Sequence, residues 1–566
     1  MSPDLPSGDG ERTFTPPGKG PWELESTHFA RPSTRVVQQC FSDGFVRGFS
    51  EGTAKFGVLL SHLEPGIAGD FVYLQPVAVG APAGAMGPPP KPVLMLLSRV
   101  HPLLRRRINT AVTAFEQKRW RADLVHWDEV DKPAIIARHR EIQAIDVASL
   151  SDASLADHLE SCFHHLTESN YLHHKYTMAA CLPVGDFLAG TQAWTGASFG
   201  ELMTLVKGHS AISRGFAAEE LDQAAKVVAV DDDAREVLAR SDPSVEVLAS
   251  LAAHPGVGES VGRYLDAVRW RCVGYDVGDA AAGELPDVLL ETLRTALRSP
   301  GQAATDQIGL AAIRDRVPAE HREDFDDRLA EMRLMYRLRD ERAVFTDGWA
   351  TGLTRRALLE AGRRLAESGA LHTDQHGLDL EPDEVTGALR GAATPDADEV
   401  AERFRWRTTR TVADAPPFLT AMPAPPPPTQ WLPKKARRSA AAINTFLFSL
   451  FGVAETPNTD TVLSGLAVSD GTYEGVARLV ENSADFDRIQ AGDVLVTRMT
   501  SPYFNVVLPL LGALVTDRGG QLCHAAIVAR EYGIPGIVGT RDATRVIRDG
   551  ARVRVDGGTG EVRLLE

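Results

Sequence analysis

One histidine in the sequence stands where phosphoryl-transfer chemistry is favoured. His524 follows the glycine pair Gly519 and Gly520 and precedes the run Ala525–Glu531, which predicts a short helix. The imidazole therefore stands at a helix N-terminus, where unpaired backbone N–H groups and the helix dipole favour negative charge by about 0.3–1 kcal/mol. Because neutral imidazole is nucleophilic, a phosphoryl group on a ring nitrogen of His524 is the natural anion for this position.

The residues around His524 offer further groups that phosphoryl transfer requires. Gly519 and Gly520 allow positive φ and a close backbone approach. Thr516, Arg518 and Arg530 either donate hydrogen bonds to phosphoryl oxygens or hold the loop, and the sequence leaves both roles open. A lone histidine at a helix start is more often a cap or a surface residue, so the wider motif must decide between the two interpretations.

Short apolar runs surround this histidine. From about residue 462 the segments GDVLVT, ALVTD, GIVG and VRVDGGTGEVRLL are bounded by Gly and Asp, which predicts strands and turns. The helix at Ala525–Glu531 is stopped by Gly533 and Pro535. We therefore predict that residues 462–566 form a compact α/β domain that positions His524.

The preceding sequence is mainly helical. Leu155, Leu159, Cys162 and Leu166 recur at helical spacing, and residues 22–414 continue in this style. Further predicted helices are Pro286–Leu297, Arg328–Arg342 and Gly352–Ser368. Residues 69–97 are an exception, because short apolar runs flank a Gly/Pro-rich connection that is either a hairpin or a loop.

Two segments show neither the helical pattern nor the strand pattern. Residues 1–21 are polar and rich in Pro and Gly, which predicts a flexible tail. The proline run APPFLTAMPAPPPPTQWLP favours an extended, semi-rigid spacer, and we assign residues 415–461 to a proline-rich hinge. The predicted fold class is thus multidomain, with a mainly α-helical N-terminal and middle domain followed by a C-terminal α/β domain.

Composition excludes several classes of function. A formal net charge of −16 without a clustered basic footprint argues against nucleic acid as a ligand. We find no apolar run long enough to span a bilayer and no secretory leader, so we expect no membrane partner and a cytoplasmic location. Five cysteines without a CxxC pair suggest reduced thiols. No metal site is predicted, because His158, Cys162 and His165 are better explained as core and helix-surface residues.

The stretch TDRGGQLCHAAIVAREYGIPGIVGT resembles the phosphohistidine, or swivelling, domain of the phosphoenolpyruvate (PEP)-utilising enzymes. That family's pattern is T-x-x-G-G-x-x-[ST]-H-A-A-I-V-A-R-E-x-G-I-P. GDVLVTRMTSP (Gly492–Pro502) and VRVDGGTGEVRLL extend the likeness over about a hundred residues. Cys523 departs from the pattern, because the family has Ser or Thr there, and the hydroxyl group is therefore missing.

The resemblance implies a two-step relay. An ATP-grasp active site transfers the β-phosphate of ATP to His524, releasing AMP and phosphate, and an acceptor then takes the group. Because no PEP-binding barrel follows His524 before Glu566, we do not expect pyruvate to be the acceptor. WELESTHFARP (Trp22–Pro32) resembles the start of the middle domain in rifampin phosphotransferases and in phenylphosphate synthase large subunits. We therefore expect a separate ATP-grasp partner subunit to bind ATP and Mg²⁺.

Looser similarities suggest where the acceptor binds. YLDAVRWRCVGYD (Tyr264–Asp276) and the Arg-rich segment Arg337–Gly369 resemble tracts of those middle domains. They imply that residues 22–414 bind a small hydroxylated acceptor, with aromatic compounds among the candidates. The candidate acceptor-site residues are His209, Arg271, Arg339 and Arg342.

Other interpretations stay open at this stage. His173, His174 and Lys175 either supply a general base to an acceptor hydroxyl or form a solvated helix face, which is the commoner case. The whole chain is interpreted as a dikinase-like phosphotransferase subunit. The alternatives are a non-catalytic phosphohistidine relay or regulatory scaffold, and an inactive remnant of a dikinase.

Overall fold

The computed structural model describes residues 12–210, 217–298, 307–451, 461–481, 483–500 and 502–565. Within these ranges a mostly helical region precedes a C-terminal region built on a sheet, as the sequence patterns predict. No helix in the described part of the chain is both long and apolar enough to cross a bilayer.

The helical region carries twenty α-helices among the described residues. In chain order they are α1 (Arg35–Phe56), α2 (Lys91–Val100), α3 (Pro102–Glu116), α4 (Trp120–His126), α5 (Lys132–Gln143), α6 (Asp152–Lys175), α7 (Thr177–Thr195), α8 (Phe199–Met203), α9 (Ala218–Val230), α10 (Asp232–Ala239), α11 (Ser244–Ala252), α12 (Gly258–Val268), α13 (Pro286–Arg298), α14 (Gln307–Arg316), α15 (Arg322–Tyr336), α16 (Leu338–Val344), α17 (Asp347–Glu367), α18 (Pro382–Leu389), α19 (Ala397–Thr409) and α20 (Lys434–Phe451).

Helix α6 lies at the centre of this region, against α1 on one side and α17 on another. Its N-cap is Ser151, whose hydroxyl accepts a hydrogen bond from the backbone N–H of Ser154. The apolar stripe that the sequence predicts, including Leu155, Leu159 and Leu166, is fully buried between these neighbours. The last turn of α6, which carries His173, is thereby fixed in the interior of the helical region.

A glycine stripe on α1 sets its distance from α6. A Cβ atom on Gly44, Gly48 or Gly52 would meet the α6 backbone, at 2.3 Å from Thr167 O, 2.3 Å from Tyr171 O and 2.9 Å from Lys175 O respectively. Any side chain at these positions would therefore push the two helices apart. Only glycine, whose side chain is a hydrogen atom, fits along this face, which explains why glycine recurs every four residues.

A four-stranded antiparallel sheet covers one end of the helical region. Its strands are β1 (Trp22–Leu24), β2 (Leu60–Ala68), β3 (Phe71–Ala78) and β4 (Phe418–Leu419), in the order β2-β3-β1-β4. Residues 69–97 therefore contain the turn and second strand of a hairpin, followed by a connection and most of α2. The hairpin alternative was right for the first part, whereas KPVLMLL is helical.

The predicted tail is only partly described. Residues 1–11 lie outside the described part of the chain, but the following ten residues pack on the sheet. Phe14 contacts the ring of Phe71, with centroids 6.1 Å apart, and the Gln75 amide donates to Lys19 O at 3.0 Å. The prediction of a loose tail is therefore wrong for residues 12–21, because their apolar side chains and carbonyls find partners on β3 that the local composition does not reveal.

The predicted hinge at 415–461 is also largely ordered. Its start forms β4, which pairs with β1, and its later part forms α20, which lies along α7. Arg438 on α20 pairs with Asp186 on α7 at 2.7 Å. The proline-rich segment is thus tied to the helical region at both ends. Residues 452–460 of the predicted hinge lie outside the described residues.

The C-terminal region is a mixed eight-stranded sheet in the order β5-β12-β11-β7-β8-β9-β10-β6. Neighbouring strands β7 to β10 run parallel, and the remaining pairings are antiparallel. The elements are β5 (Val462–Ser464), β6 (Leu466–Ser469), β7 (Thr472–Val480), β8 (Val494–Thr497), β9 (Ala513–Thr516), α21 (His524–Tyr532), β10 (Gly536–Val538), α22 (Ala543–Val546), β11 (Arg552–Asp556) and β12 (Glu561–Leu564). Helix α21 crosses between β9 and β10, so it begins at the carboxyl edge of the parallel strands.

Helices α9 to α13 connect the two regions. Their buried side chains, such as Leu248 and Leu293, share one apolar core with the C-terminal residues Val507, Leu511 and Ala526. The Thr292 hydroxyl donates to Val506 O at 2.8 Å across this boundary. The C-terminal domain is therefore docked on the helical region, and α13 provides much of the apolar surface beneath it.

We predict that Gly48→Ala destabilises the helical region, since the added methyl group would lie 2.3 Å from Tyr171 O on α6. The expected cost is about 1–3 kcal/mol in the free energy of unfolding, measured by denaturant titration. Gly262→Ala on α12 is the matched control, because nothing lies within 4 Å of a Cβ atom there. That control should be neutral or stabilising by up to about 1 kcal/mol, and equal losses in both variants would contradict the close-approach explanation.

Candidate functional site

The loop before His524 is shaped by glycine. The chain leaves β9 at Thr516, turns through Gly519 with φ of 116°, and enters α21 at His524. A Cβ atom on Gly519 would lie 2.7 Å from Cys523 Sγ, so both the backbone angle and the space require glycine. This turn places His524 at the carboxyl edge of the parallel strands, the edge where open α/β sheets bind ligands.

Both ring nitrogens of His524 have hydrogen-bond partners. Thr500, just after β8, places its Oγ1 3.0 Å from Nδ1, and Asn505 places its side-chain oxygen 3.1 Å from Nε2. With the Asn505 oxygen at Nε2, the ring carries its proton on Nε2 and accepts from the Thr500 hydroxyl at Nδ1. A turn of the Asn505 amide group reverses both roles, so that Nδ1 donates to Thr500 and the Nε2 lone pair faces the Asn505 N–H. The two neighbours therefore fix the plane of the ring and can select the tautomer that reacts through Nε2.

The imidazole is held in its neutral form. Burial, followed by the positive charge of Arg339, lowers the pKa of His524 from its ordinary value to about 3. A neutral ring retains the lone pair that a phosphoryl acceptor requires. Arg339 lies close enough to compensate the negative charge that phosphorylation would add.

The loop is pinned to the helical region by backbone groups. Arg339 on α16 donates from Nη1 to Leu522 O at 2.6 Å. The last turn of α20 accepts two further bonds, from Gly520 N to Leu450 O at 2.9 Å and from Leu522 N to Ser449 O at 2.8 Å. The tip that carries His524 is thus clamped between α16 and α20.

The predicted loop residues act on the loop itself. Thr516 donates from Oγ1 to Arg518 O at 2.7 Å, and Arg530 donates to Gln521 O at 2.6 Å and to Val468 O at 3.1 Å. The side chain of Arg518 is exposed, whereas Cys523 is buried as the N-cap of α21. Burial raises the pKa of the Cys523 thiol, so this position holds a neutral thiol. Of the two roles left open, holding the loop is the one in which the structure places Thr516 and Arg530.

The four candidate acceptor-site residues lie in different parts of the structure. Arg339 touches the loop of His524, and Arg342, one turn along α16, donates to His173 O at 3.0 Å. Arg271 is engaged elsewhere, since it donates to Ala267 O at 2.8 Å and stacks on the ring of Trp349. His209 is exposed and follows Gly208, whose N–H donates to Glu531 at the far end of α21. Of the four, Arg339 contacts the loop of His524, and Arg342 lies one helical turn further along α16.

Behind these arginines lies a polar cluster that the sequence indicated only in part. His173 places Nδ1 2.9 Å from Asp347 Oδ2, and the ring of His28 packs edge-on to Tyr275 at 4.6 Å. His173 is only 8% exposed, so the solvated-face interpretation of this residue is wrong. Asp347 lies 174 residues away in the chain, which explains why spacing alone could not identify the pair.

Metal ligands are not gathered in the described ranges: no group of three or more His, Cys, Asp or Glu side chains there is arranged to hold an ion. His158 lies 3.6 Å from Cys162 Sγ, and His165 bonds to the ring of His139 at 2.9 Å. These side chains satisfy one another within the helical region.

Residues 489–560 match the family described as PEP-utilising enzyme, mobile domain. An uncharacterised phosphotransferase of Bacillus subtilis is 32% identical over 229 residues, which are 40% of this chain and 26% of that protein. A rifampicin phosphotransferase of a Streptomyces species is 32% identical over 320 residues, 53% of this chain and 34% of that protein. A probable phosphoenolpyruvate synthase of Archaeoglobus fulgidus is 42% identical over 110 residues, 19% of this chain and 15% of that protein.

These matches span about a third or less of each relative's length. The family match falls within the C-terminal sheet domain and includes Thr500, Asn505 and His524. This domain is therefore a mobile domain of the PEP-utilising enzymes, which confirms the family that the motif predicts.

We predict that Thr500→Val slows phosphorylation of His524 by the small chemical donor phosphoramidate about tenfold. The variant removes the partner of Nδ1, so the ring loses its fixed orientation and tautomer. The rate is measured as acid-labile, base-stable label with ³²P-phosphoramidate. Thr472→Val on β7, where the side chain is exposed, is the control and should label like wild type. Equal rates in T500V and T472V would refute the orienting role.

We also predict that docking of the C-terminal domain weakens as pH falls. The pKa of His524 is about 3 when docked, against about 6.5 for a solvated histidine, so the undocked domain binds the proton more readily. Docking should be insensitive to pH above about 7 and weaken about tenfold per pH unit below about 6.5. The measurement is energy transfer between dyes on Asp398→Cys and Arg545→Cys, both exposed in the structure.

The control for this pH series is His524→Asn in the same labelled chain, which should lose the dependence. Burial raises the pKa of Glu531. This shift acts on docking in the opposite direction to that of His524, because a carboxyl group that binds its proton more readily when docked favours docking at low pH. The difference between wild type and H524N therefore isolates the histidine. A docking equilibrium that responds identically in both would contradict the assignment.

Proposed function

We propose that this chain is the phosphoryl-carrier and acceptor-binding component of an ATP-dependent, dikinase-like phosphotransferase. His524 carries the phosphoryl group from an ATP-grasp partner to a hydroxyl group of a small molecule bound by the helical region. The observation that carries the proposal is the neutral imidazole at the N-terminus of α21, with Thr500 and Asn505 at its two ring nitrogens. The names of the relatives, among them a rifampicin phosphotransferase, support the reaction class.

In the first half-reaction Nε2 of His524 attacks the β-phosphorus of ATP in line and AMP leaves, which puts the β- and γ-phosphates on the ring. Water then attacks the γ-phosphorus and phosphate is released, so that the β-phosphoryl group stays on His524. The Nδ1 proton stays on the ring and is held by Thr500. Phosphoryl transfer requires positioning and charge neutralisation more than covalent help, so Mg²⁺ and cationic side chains should surround the group wherever His524 docks. We assign ATP and Mg²⁺ to the partner chain, which supplies the site for this step.

The domain must leave its docked position to reach a nucleotide site. In the docked arrangement the loop is clamped by Arg339, Ser449 and Leu450, which leaves little access for a second protein. The proline-rich segment cannot be the pivot, because β4 and α20 fix it to the helical region.

A second candidate is a phosphohistidine relay that has no acceptor site of its own. The size of the cavity beside Asp347 favours this candidate. The centre of a water molecule can move there within a volume of only about 10 Å³. That space holds about one water rather than a whole aromatic acceptor. A relay would pass its phosphoryl group to another protein, so the two candidates differ in whether a small molecule discharges the phosphorylated chain.

The proposal predicts that the β-phosphate of ATP labels His524. The chain is incubated with Mg²⁺ and separately β- and γ-labelled ATP, with and without an ATP-grasp protein of the same cell. Acid-labile, base-stable label from the β position is expected on His524 only when the partner is present. His524→Ala should abolish the label, and His372→Ala, an exposed histidine on the helical region, should leave it unchanged.

Two outcomes would count against this assignment. Label from the γ position would contradict the dikinase-like reaction. Absence of label under every condition would contradict the carrier role, provided that the same partner phosphorylates a known histidine domain.

A further inference from the structure

His173 and Asp347 form a buried histidine–carboxylate pair between two helices. His173 lies on the last turn of α6, and Asp347 is the first residue of α17. Their side chains are 10% and 7% exposed, and the Nδ1 to Oδ2 distance is 2.9 Å. Asp347 also accepts from the Thr346 hydroxyl at 3.1 Å. In this pairing the Asp347 side chain accepts a hydrogen bond from Nδ1 of His173.

This arrangement differs from the second histidine–carboxylate pair nearby. Glu25 accepts from the backbone N–H groups of Thr27 and His28 as well as from the His28 ring, so it serves a local turn. His173 and Asp347 are 174 residues apart and make no such turn. Their pairing therefore orients the imidazole rather than the backbone, and with the proton on Nδ1 it leaves Nε2 as the basic nitrogen of the ring.

The pair lies one helical turn from the contact that holds the loop of His524. Arg342 donates to His173 O at 3.0 Å, and Arg339, three residues earlier on α16, donates to Leu522 O at 2.6 Å. Side chains three apart on a helix are neighbours, with Cβ atoms about 5–6 Å apart. Arg342 Nε is buried and has no hydrogen-bond partner in the described part of the chain. This unsatisfied donor suits an anion that arrives with the docked domain.

We propose that His173, oriented by Asp347, is the general base that takes the proton of the acceptor hydroxyl when His524 releases its phosphoryl group. The inference rests on the proposed function and extends it to the acceptor half-reaction. Asp347 is a positioning residue, because it acts through His173. Arg339 and Arg342 neutralise the phosphoryl oxygens during transfer.

The step balances in atoms and charge. The acceptor oxygen attacks phosphorus in line, the new O–P bond forms, and the P–Nε2 bond to His524 breaks. Its electron pair returns to Nε2, and because Nδ1 keeps its proton on Thr500, His524 leaves as neutral imidazole. The hydroxyl proton passes to His173 Nε2, and Asp347 stabilises the imidazolium until the proton reaches solvent.

The lining of the site points to the class of acceptor. The cavity at Asp347 is bounded by Val37, Phe41, Leu166 and Tyr275, with Asn170 and Thr351 as polar members. The cavity holds about one water molecule, so only the hydroxyl end of an acceptor can enter it, and its apolar walls favour a hydroxyl borne on an aromatic or aliphatic group over that of a sugar. We therefore expect a phenol-like hydroxyl to be preferred to the hydroxyls of a polyol.

The test bypasses the nucleotide partner. His524 is charged with ³²P-phosphoramidate, excess donor is removed, and loss of label is followed with water alone and with phenol, where phenyl phosphate is the product. Wild type should discharge with a rate that rises with pH as His173 loses its proton. His173→Asn keeps a donor for Asp347 but lacks the base, so the rate should fall 100-fold or more and the pH dependence should flatten.

Two further variants keep the test decisive. Asp347→Asn should slow discharge 10- to 100-fold while charging of His524 stays normal. His164→Asn, an exposed position on the same helix, is the matched control and should behave like wild type. If wild type and both site variants lose label at the same rate with either probe, the general-base role is overturned while the carrier role stands. Failure of wild type to accept label at His524 would instead overturn the proposed function and this inference with it.

Discussion

The structure depends on the hydrogen bond from Arg339 to the carbonyl oxygen of Leu522. This bond joins α16 of the helical region to the loop that carries His524, and two backbone bonds from α20 close the clamp. A buried guanidinium group must have partners, and Arg339 finds them in Asp340 and in this carbonyl. Docking therefore satisfies a charge of the helical region with a backbone group of the C-terminal domain. The histidine is placed beside that charge as a consequence.

The positive charge of Arg339 affects the protonated, neutral and phosphorylated states of His524 differently. A protonated His524 beside Arg339 would set two positive charges against each other in a buried place, which is why the pKa is lowered. A phosphorylated His524 would bring negative charge toward Arg339 and Arg342 instead. The docked arrangement thus opposes the protonated ring, accepts the neutral ring and favours the charged phosphoryl group. A carrier that delivers its phosphoryl group to the helical region requires this order of preference among the three states.

Local sequence was sufficient for some features and insufficient for others. The Gly-Gly turn, the position of His524 and the strands around it follow from short-range patterns, because turns and caps depend on neighbouring residues. Thr500 and Asn505 meet His524 only through parallel pairing of β8 with β9, although their segment was part of the recognised likeness. The pairing of His173 with Asp347 depends on the packing of α6 against α17. The order of the proline-rich segment likewise comes from β4 and α20, which composition cannot reveal.

Under the proposed function, His524 meets its phosphoryl donor only after leaving the clamp. The amide end of the Gln521 side chain lies 3.3 Å from where a Cβ atom on Gly200 would stand, so we would introduce Gly200→Cys with Gln521→Cys and use the preparation in which oxidation consumes both new thiols and locks the loop to α8. We would measure charging of His524 by phosphoramidate in the oxidised and reduced forms of this variant. We expect charging of His524 to be at least tenfold slower in the oxidised variant and to recover fully when the disulfide is reduced. Equal rates in the two forms would contradict it, since a clamped histidine would then be as accessible as a free one.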